Sequence, residues 1–265
     1  MNQVFDSQMI VEQNMQDESD SGLSLIDQSF RIQSTSKVIK DSNATYTLEN
    51  QYVRIKITQV QSTESNGEDT GDISDLTDLN ETKQSEILID TKTNIRKYHS
   101  DFEKYNYQLI GKPYYTTIIK NGFQKSSTLN DLVHHLHGDA YVSPFQDMYE
   151  LNLFFPDYYL KKGDVWHKEI SIESQGKSIQ GNIRFQLESW NDSSIYILMK
   201  STLTGRLEDF SVGNQVSVEK KGTIVLDRKT CWVIKAHIEQ KTTWPSELSG
   251  DKDLIGTVQI TNKLR

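Results

Sequence analysis

Apolar and polar residues alternate along much of this chain, most regularly in its second half. Successive side chains of a strand point to opposite faces, so a period of two marks a ribbon with one buried face. Residues 166–174, 178–190, 194–204, 216–227, 231–243 and 254–264 carry that period. Gly176, Asn191-Asp192, Gly213-Asn214 and Arg228-Lys229 stand between them and supply turn chemistry. Regularly spaced strands with hairpin turns predict a mainly β chain: an antiparallel sheet, barrel or sandwich.

The first half reads less evenly. Residues 4–5 and 9–11 suit a first strand, 30–33 alternate, Asp41-Ser42-Asn43 signals a turn, and 45–48 and 52–58 alternate again. Residues 62–86 break the pattern with Ser, Thr, Asn, Gly and acid, and predict a long mobile loop that is dispensable for folding. β character resumes at 87–95, with a turn near Thr91-Lys92. Leu129, Leu132, Val133 and Leu136 then fall at i, i+3, i+4 and i+7, after Ser126-Ser127-Thr128 and before Gly138. That spacing, with a hydroxyl cap and a terminal Gly, predicts a short amphipathic helix docked on the concave side of the sheet. Residues 148–155 suit another strand, closed by Pro156. The expected organisation is a first β half at 1–125, a helical connector at 126–150 and a second β half at 151–265.

Two pairs of segments suggest duplication. Residues 87–97 match residues 224–234, each a strand, an Asp (Asp90 and Asp227), a turn and a second strand. Upstream, Asp41-Ser42-Asn43-Ala44-Thr45-Tyr46-Thr47-Leu48 resembles Asn191-Asp192-Ser193-Ser194-Ile195-Tyr196-Ile197-Leu198 in the same order. An Asp at such a place accepts backbone N–H bonds within its own turn, which explains it without catalysis. The expectation is a curved sheet or half-barrel from two related halves.

Composition narrows the function more than it identifies one. The chain has 265 residues, 35% hydrophobic and 9% aromatic, with a net charge of -8. That length supports a sizeable core, and the charge argues against binding nucleic acid or anionic lipid by bulk electrostatics. The apolar runs are too short to span a bilayer as helices. A single cysteine, Cys231, allows neither an internal disulfide nor a CxxC zinc pair. Set in the expected strand 231–243, it reads as a small buried hydrophobe. No HExxH, GxSxG or phosphate-cradling glycine loop occurs, and no cofactor is implied.

Three places could carry chemistry. Asp131, His134, His137 and Asp139 gather titratable ligands around the predicted helix, and a metal would need several of them to converge on one point. A polar, solvated helix end accounts for them without a metal, and is the preferred reading. Asp69, Asp72, Asp75 and Asp78 recur every three residues, which does not match an EF-hand. Around the helix lie Tyr107, Tyr114, Tyr115, Phe154, Phe155, Tyr158, Tyr159 and Trp166. Of these, Tyr114, Tyr115, Phe154, Tyr158 and Trp166, with Leu132 and Leu136, are the expected lining of an apolar groove.

Leu160-Lys161-Lys162-Gly163-Asp164-Val165-Trp166, following Phe155-Pro156, and the late hairpin Gly222-Thr223-Ile224-Val225-Leu226-Asp227 carry a resemblance. This pattern resembles a family of uncharacterised Gram-negative secreted proteins and lipoproteins. The resemblance implies a fold like the half-barrel of periplasmic lipoprotein carriers, a curved antiparallel sheet around an apolar groove, and a periplasmic or outer-envelope location. The residues after Met1 carry neither a signal segment nor a lipobox cysteine. The expected function is a non-enzymatic envelope protein binding a hydrophobic small molecule or a partner protein. The rival readings are a structural or adhesion module acting through sheet surfaces, and a hydrolase with an unrecognised carboxylate or histidine site.

Overall fold

The computed structural model describes residues 3–19, 22–42, 45–65, 81–90, 107–119, 124–127, 155–156, 158–174, 177–207, 215–244 and 252–264. They form one open antiparallel sheet of twelve strands. In chain order these are β1 (Val4–Ser19), β2 (Gly22–Asp41), β3 (Thr45–Ser65), β4 (Glu81–Asp90), β5 (Pro113–Ile119) and β6 (Gln124–Ser127). The second half adds β7 (Val165–Ser174), β8 (Lys177–Trp190), β9 (Ser194–Leu207), β10 (Gln215–Asp227), β11 (Val233–Trp244) and β12 (Lys252–Leu264). The path runs β6-β5-β3-β2-β1-β12-β11-β10-β9-β8-β7, with β4 also on β3. The N- and C-terminal strands pair at its centre, so the two halves share one continuous ladder.

Six strands of the second half lie where alternation places them, and the turns explain their ends. Asn191 Oδ1 accepts the N–H groups of Ser193 and Ser194 at 2.9 and 2.8 Å and closes the β8–β9 hairpin. Ser42 Oγ does the same work between β2 and β3, accepting the Thr45 N–H at 3.0 Å. Asp227 Oδ1 accepts from Lys229 N (3.0 Å), Thr230 N (2.8 Å) and Thr230 Oγ1 (2.8 Å). These bonds stabilise the charged carboxylate, and Thr230 above all holds it below the usual carboxylate range.

That turn corrects one expectation. Cys231 is not a buried strand residue: it is exposed, precedes β11, and has φ 57°. Its N–H is drawn to the Asp227 carbonyl at 2.8 Å, which forces the left-handed backbone. Trp232 is thereby carried across to stack on Phe5 at 4.7 Å, and closes a small cluster with Val38 and Leu48.

The expected loop 62–86 is also shorter than its composition suggests. Residues 62–65 continue β3 and 81–86 begin β4, in register from Thr63↔Glu81 to Arg54↔Asp90. Backbone bonds and the Lys56–Glu86 ion pair (2.8 Å) extend this hairpin into polar sequence. Residues 66–80 lie outside the described residues. So do 128–154, and with them the predicted helix; Ser126 and Ser127, read as part of its cap, belong to β6. Among the described residues, helix is confined to 107–109.

The Asp90 and Asp227 ends occupy different points on their partner strands. Asp227 is opposite Ser194, the first residue of β9, whereas Asp90 is opposite Arg54 in the middle of β3. The rest of that β3 edge is taken by β5, from Gln51↔Pro113 to Thr45↔Ile119. Tyr52, at the handover, bridges to Ile110, and its carbonyl accepts the Gly111 N–H at 2.9 Å.

Candidate ligand-binding face

The register sorts the sheet into two unlike faces. On the inner face, one cross-strand row runs Trp166, Phe185, Met199, Gly222, Ile238, Val258, Val11, Phe30, Ile57 and Ile87, from β7 through to β4. The next row runs Leu187, Ile197, Ile224, Ala236, Ile260, Met9, Ile32, Ile55 and Ile89. Apart from the Trp166 indole N–H neither row contains a polar group, and Ile55, Ile89, Phe185, Ile197 and Ile224 are wholly buried. Leu109 and Ile110 are buried in the same cluster, and Tyr107, Tyr114, Phe155 and Leu160 pack against it. Burying such rows is the principal favourable term in the fold, at about 1.5–3 kcal/mol per large side chain.

Strand curvature is written into two inward positions of the second half. A Cβ on Gly222 would stand 2.1 Å from the His237 carbonyl oxygen, and one on Gly181 2.2 Å from that of Thr202. Neighbouring backbone leans over the inner face at both points, where only glycine fits.

Beside the all-apolar rows lies a third inner row of different chemistry. It runs Lys168, Ile183, Ser201, Lys220, Gln240, Gly256, Gln13, Gln28, Gln59 and Ser85. Ser201 and Lys220 are buried. Beyond it the face returns to apolar residues at Ile170, Leu203 and Val218. A polar belt thus crosses an apolar surface.

The aromatic residues expected to line a groove divide between the faces. Trp166 is inward and buried, stacked on Phe185 at 5.6 Å and near Phe155 at 6.1 Å. Tyr114 is inward against Tyr52 at 5.4 Å, and burial pushes its hydroxyl pKa up despite a hydrogen bond with Tyr52. Tyr115 points the other way, its hydroxyl 3.4 Å from Glu49, and Tyr158 is exposed. Leu132, Leu136 and Phe154 lie outside the described residues, as do Asp131, His134, His137 and Asp139. Among the described residues no three His, Cys, Asp or Glu side chains are grouped to hold a metal.

Sequence reasoning missed Ser201 and Lys220. The signal was present: both share the phase of apolar neighbours, Ser201 with Met199 and Leu203, and Lys220 with Ile224 and Leu226. A polar residue at an inward position of a buried strand is the informative exception.

The outer face is polar. His167, Arg184, Lys200 and Lys221 form one cross-strand row ending at Glu239. With Thr223 and His237 several of these line a shallow depression of about 470 Å³. Lys221 pairs with Glu239 at 2.9 Å, and with His237 nearby this holds the Glu239 carboxyl below its usual range. Both partners are exposed, so the pair adds little stability.

Comparison with known proteins gives a match of part of the chain to one family model and a fold likeness. Residues 115–233 match the model of a family of unknown function (DUF6263). No curated protein sequence matches the chain. A solved structure described as "lipid-protein interactions in lipovitellin" is similar over 99% of this chain, with TM-score 0.54 and 9% identity. The chain spans 25% of that protein's length, so the likeness concerns part of a larger chain. No helix among the described residues is long and apolar enough to cross a membrane.

Proposed function

We propose that this chain is a non-enzymatic binding protein that holds a hydrophobic ligand against the inner face of its sheet. The observation that carries the reading is the pair of uninterrupted apolar rows, which continue through the β1–β12 junction from one half to the other. Two-layer folds bury an apolar sheet face against a second layer. Here one sheet is apolar on the same side through both halves, a lining suited to acyl chains or other extended apolar groups. The likeness to part of a protein described by its lipid interactions, lipovitellin, agrees with this. Function as a carrier in the bacterial envelope is the setting proposed for it, on the sequence resemblance described above.

The test is native mass spectrometry of the protein purified from its own host without detergent, followed by organic extraction. Adducts that disappear on extraction and are recovered in the organic phase as apolar compounds support the proposal. A single unliganded mass, together with no uptake of a fluorescent acyl probe, refutes it.

A further inference from the structure

Two buried hydrogen-bond donors of the inner face have no partner, one in the polar belt and one in the apolar row beside it. Ser201 is 1% exposed and Trp166 is 4% exposed. Neither the Ser201 hydroxyl nor the Trp166 indole N–H has a hydrogen-bond partner. Buried donors of this kind are costly to leave unmet, and native interiors seldom do so. Ser201 is surrounded by apolar groups, Met199 and Leu203 along its strand and Ile183 on one side. On its other side, directly opposite in register, is Lys220, buried to 6% exposure. Lys168 lies in the same row on β7, two residues from Trp166. Both lysines already interact within the chain, and both bring positive charge to this part of the belt.

These groups have one property in common: each can donate. An indole N–H and an ammonium can only donate, and a hydroxyl can donate or accept. A site composed in this way suits a group that only accepts and carries negative charge. We infer that the ligand is an anionic amphiphile whose oxygen-rich headgroup is received at the β9–β10 part of the belt by Ser201 beside Lys220, with its chain along the apolar rows past Trp166. The inference rests on the hydrophobic-ligand reading and adds the charge and position of the polar end. Carboxylate and phosphate headgroups share the required chemistry.

The experiment compares tetradecanoate, tetradecyl phosphate and tetradecanol on the full chain by competition against a fluorescent acyl probe. The expected result is that at least one anion binds about tenfold or more tighter than the alcohol, as hydrogen bonds to a charged group imply. The tighter anion identifies the headgroup class. Ser201→Ala should weaken that anion several-fold more than it weakens tetradecanol, whose retained binding also shows that the variant is folded. Equal affinity for all three ligands overturns the inference while leaving the hydrophobic-ligand reading intact, the two donors then being met by water. Binding of none of them overturns both.

Discussion

Phe185→Ala tests the two-faced sheet at its most buried point. Phe185 is wholly buried on the inner face of β8, between Trp166 and Met199 in register. A buried phenylalanine removes roughly 150–200 Å² from water, which at about 25 cal/mol per Å² amounts to about 4–5 kcal/mol. Loss of the ring stack with Trp166 adds about 0.5–1 kcal/mol, and partial collapse of the site recovers some of the total. The expected destabilisation is therefore about 3–5 kcal/mol, a large part of the roughly 5–15 kcal/mol that separates folded from unfolded domains. Arg184→Ala is the control, because Arg184 is the next residue, points outward and is exposed. It should change stability by less than about 0.5 kcal/mol. Urea unfolding followed by circular dichroism reads both, with a midpoint shift on the order of 1 M for Phe185→Ala and almost none for the control. Comparable small shifts for the two variants would refute the assignment of faces in this half.

Other perturbations address separate features. Gly222→Ala should destabilise the protein by about 1–3 kcal/mol in the same assay, because its Cβ meets backbone rather than a movable side chain; a neutral result would mean that the close approach of β10 and β11 is absent. Asp227→Ala should cost about 1–2 kcal/mol at neutral pH through the lost turn bonds. The Asp227 pKa is depressed in the folded state, so its contribution is complete above the ordinary carboxylate value of about 4 and is lost as pH falls through the lower folded value. The gap between wild type and Asp227→Ala should accordingly close in acid, and a gap independent of pH would contradict a role for the charged form. Asn50→Ala should cost about 1–3 kcal/mol, since it removes the 3.0 Å bond to Thr116 that ties β3 to β5; thermal unfolding unchanged from wild type would argue that the bond adds nothing.

The β class and six second-half strands were legible because each strand has one buried face and ends in turn-forming residues. What periodicity could not show was strand without apolar residues. The ends of β3 and β4 pair through polar sequence, so residues 62–65 and 81–86 carried no alternation to read. Bulges obscured phase as well. The β2–β3 register shifts between Gln33 and Ser34, which sets Tyr52 and Ile55 on the same face and leaves Val53 36% exposed. Cys231 was misplaced because its left-handed conformation follows from the Asp227 turn rather than from its own propensity. Trp166 and Tyr114, which the sheet turns inward, stood in the same groove list as Tyr115 and Tyr158, which it does not, since a list of aromatic residues carries no facing. Ser201 and Lys220 became candidates only when register placed them together.

Quenching of Trp166 by a brominated acyl chain tests ligand placement directly. The chain has four tryptophans, and Trp190→Phe, Trp232→Phe and Trp244→Phe together leave Trp166 as the sole indole. Bromine quenches indole fluorescence only at close range, so a chain lying on the inner face should quench Trp166 strongly and saturably, with a midpoint equal to the Kd from probe competition. Saturable binding of the brominated chain with Trp166 fluorescence unchanged would contradict the account, because the ligand would then be held somewhere other than the inner face beside β7.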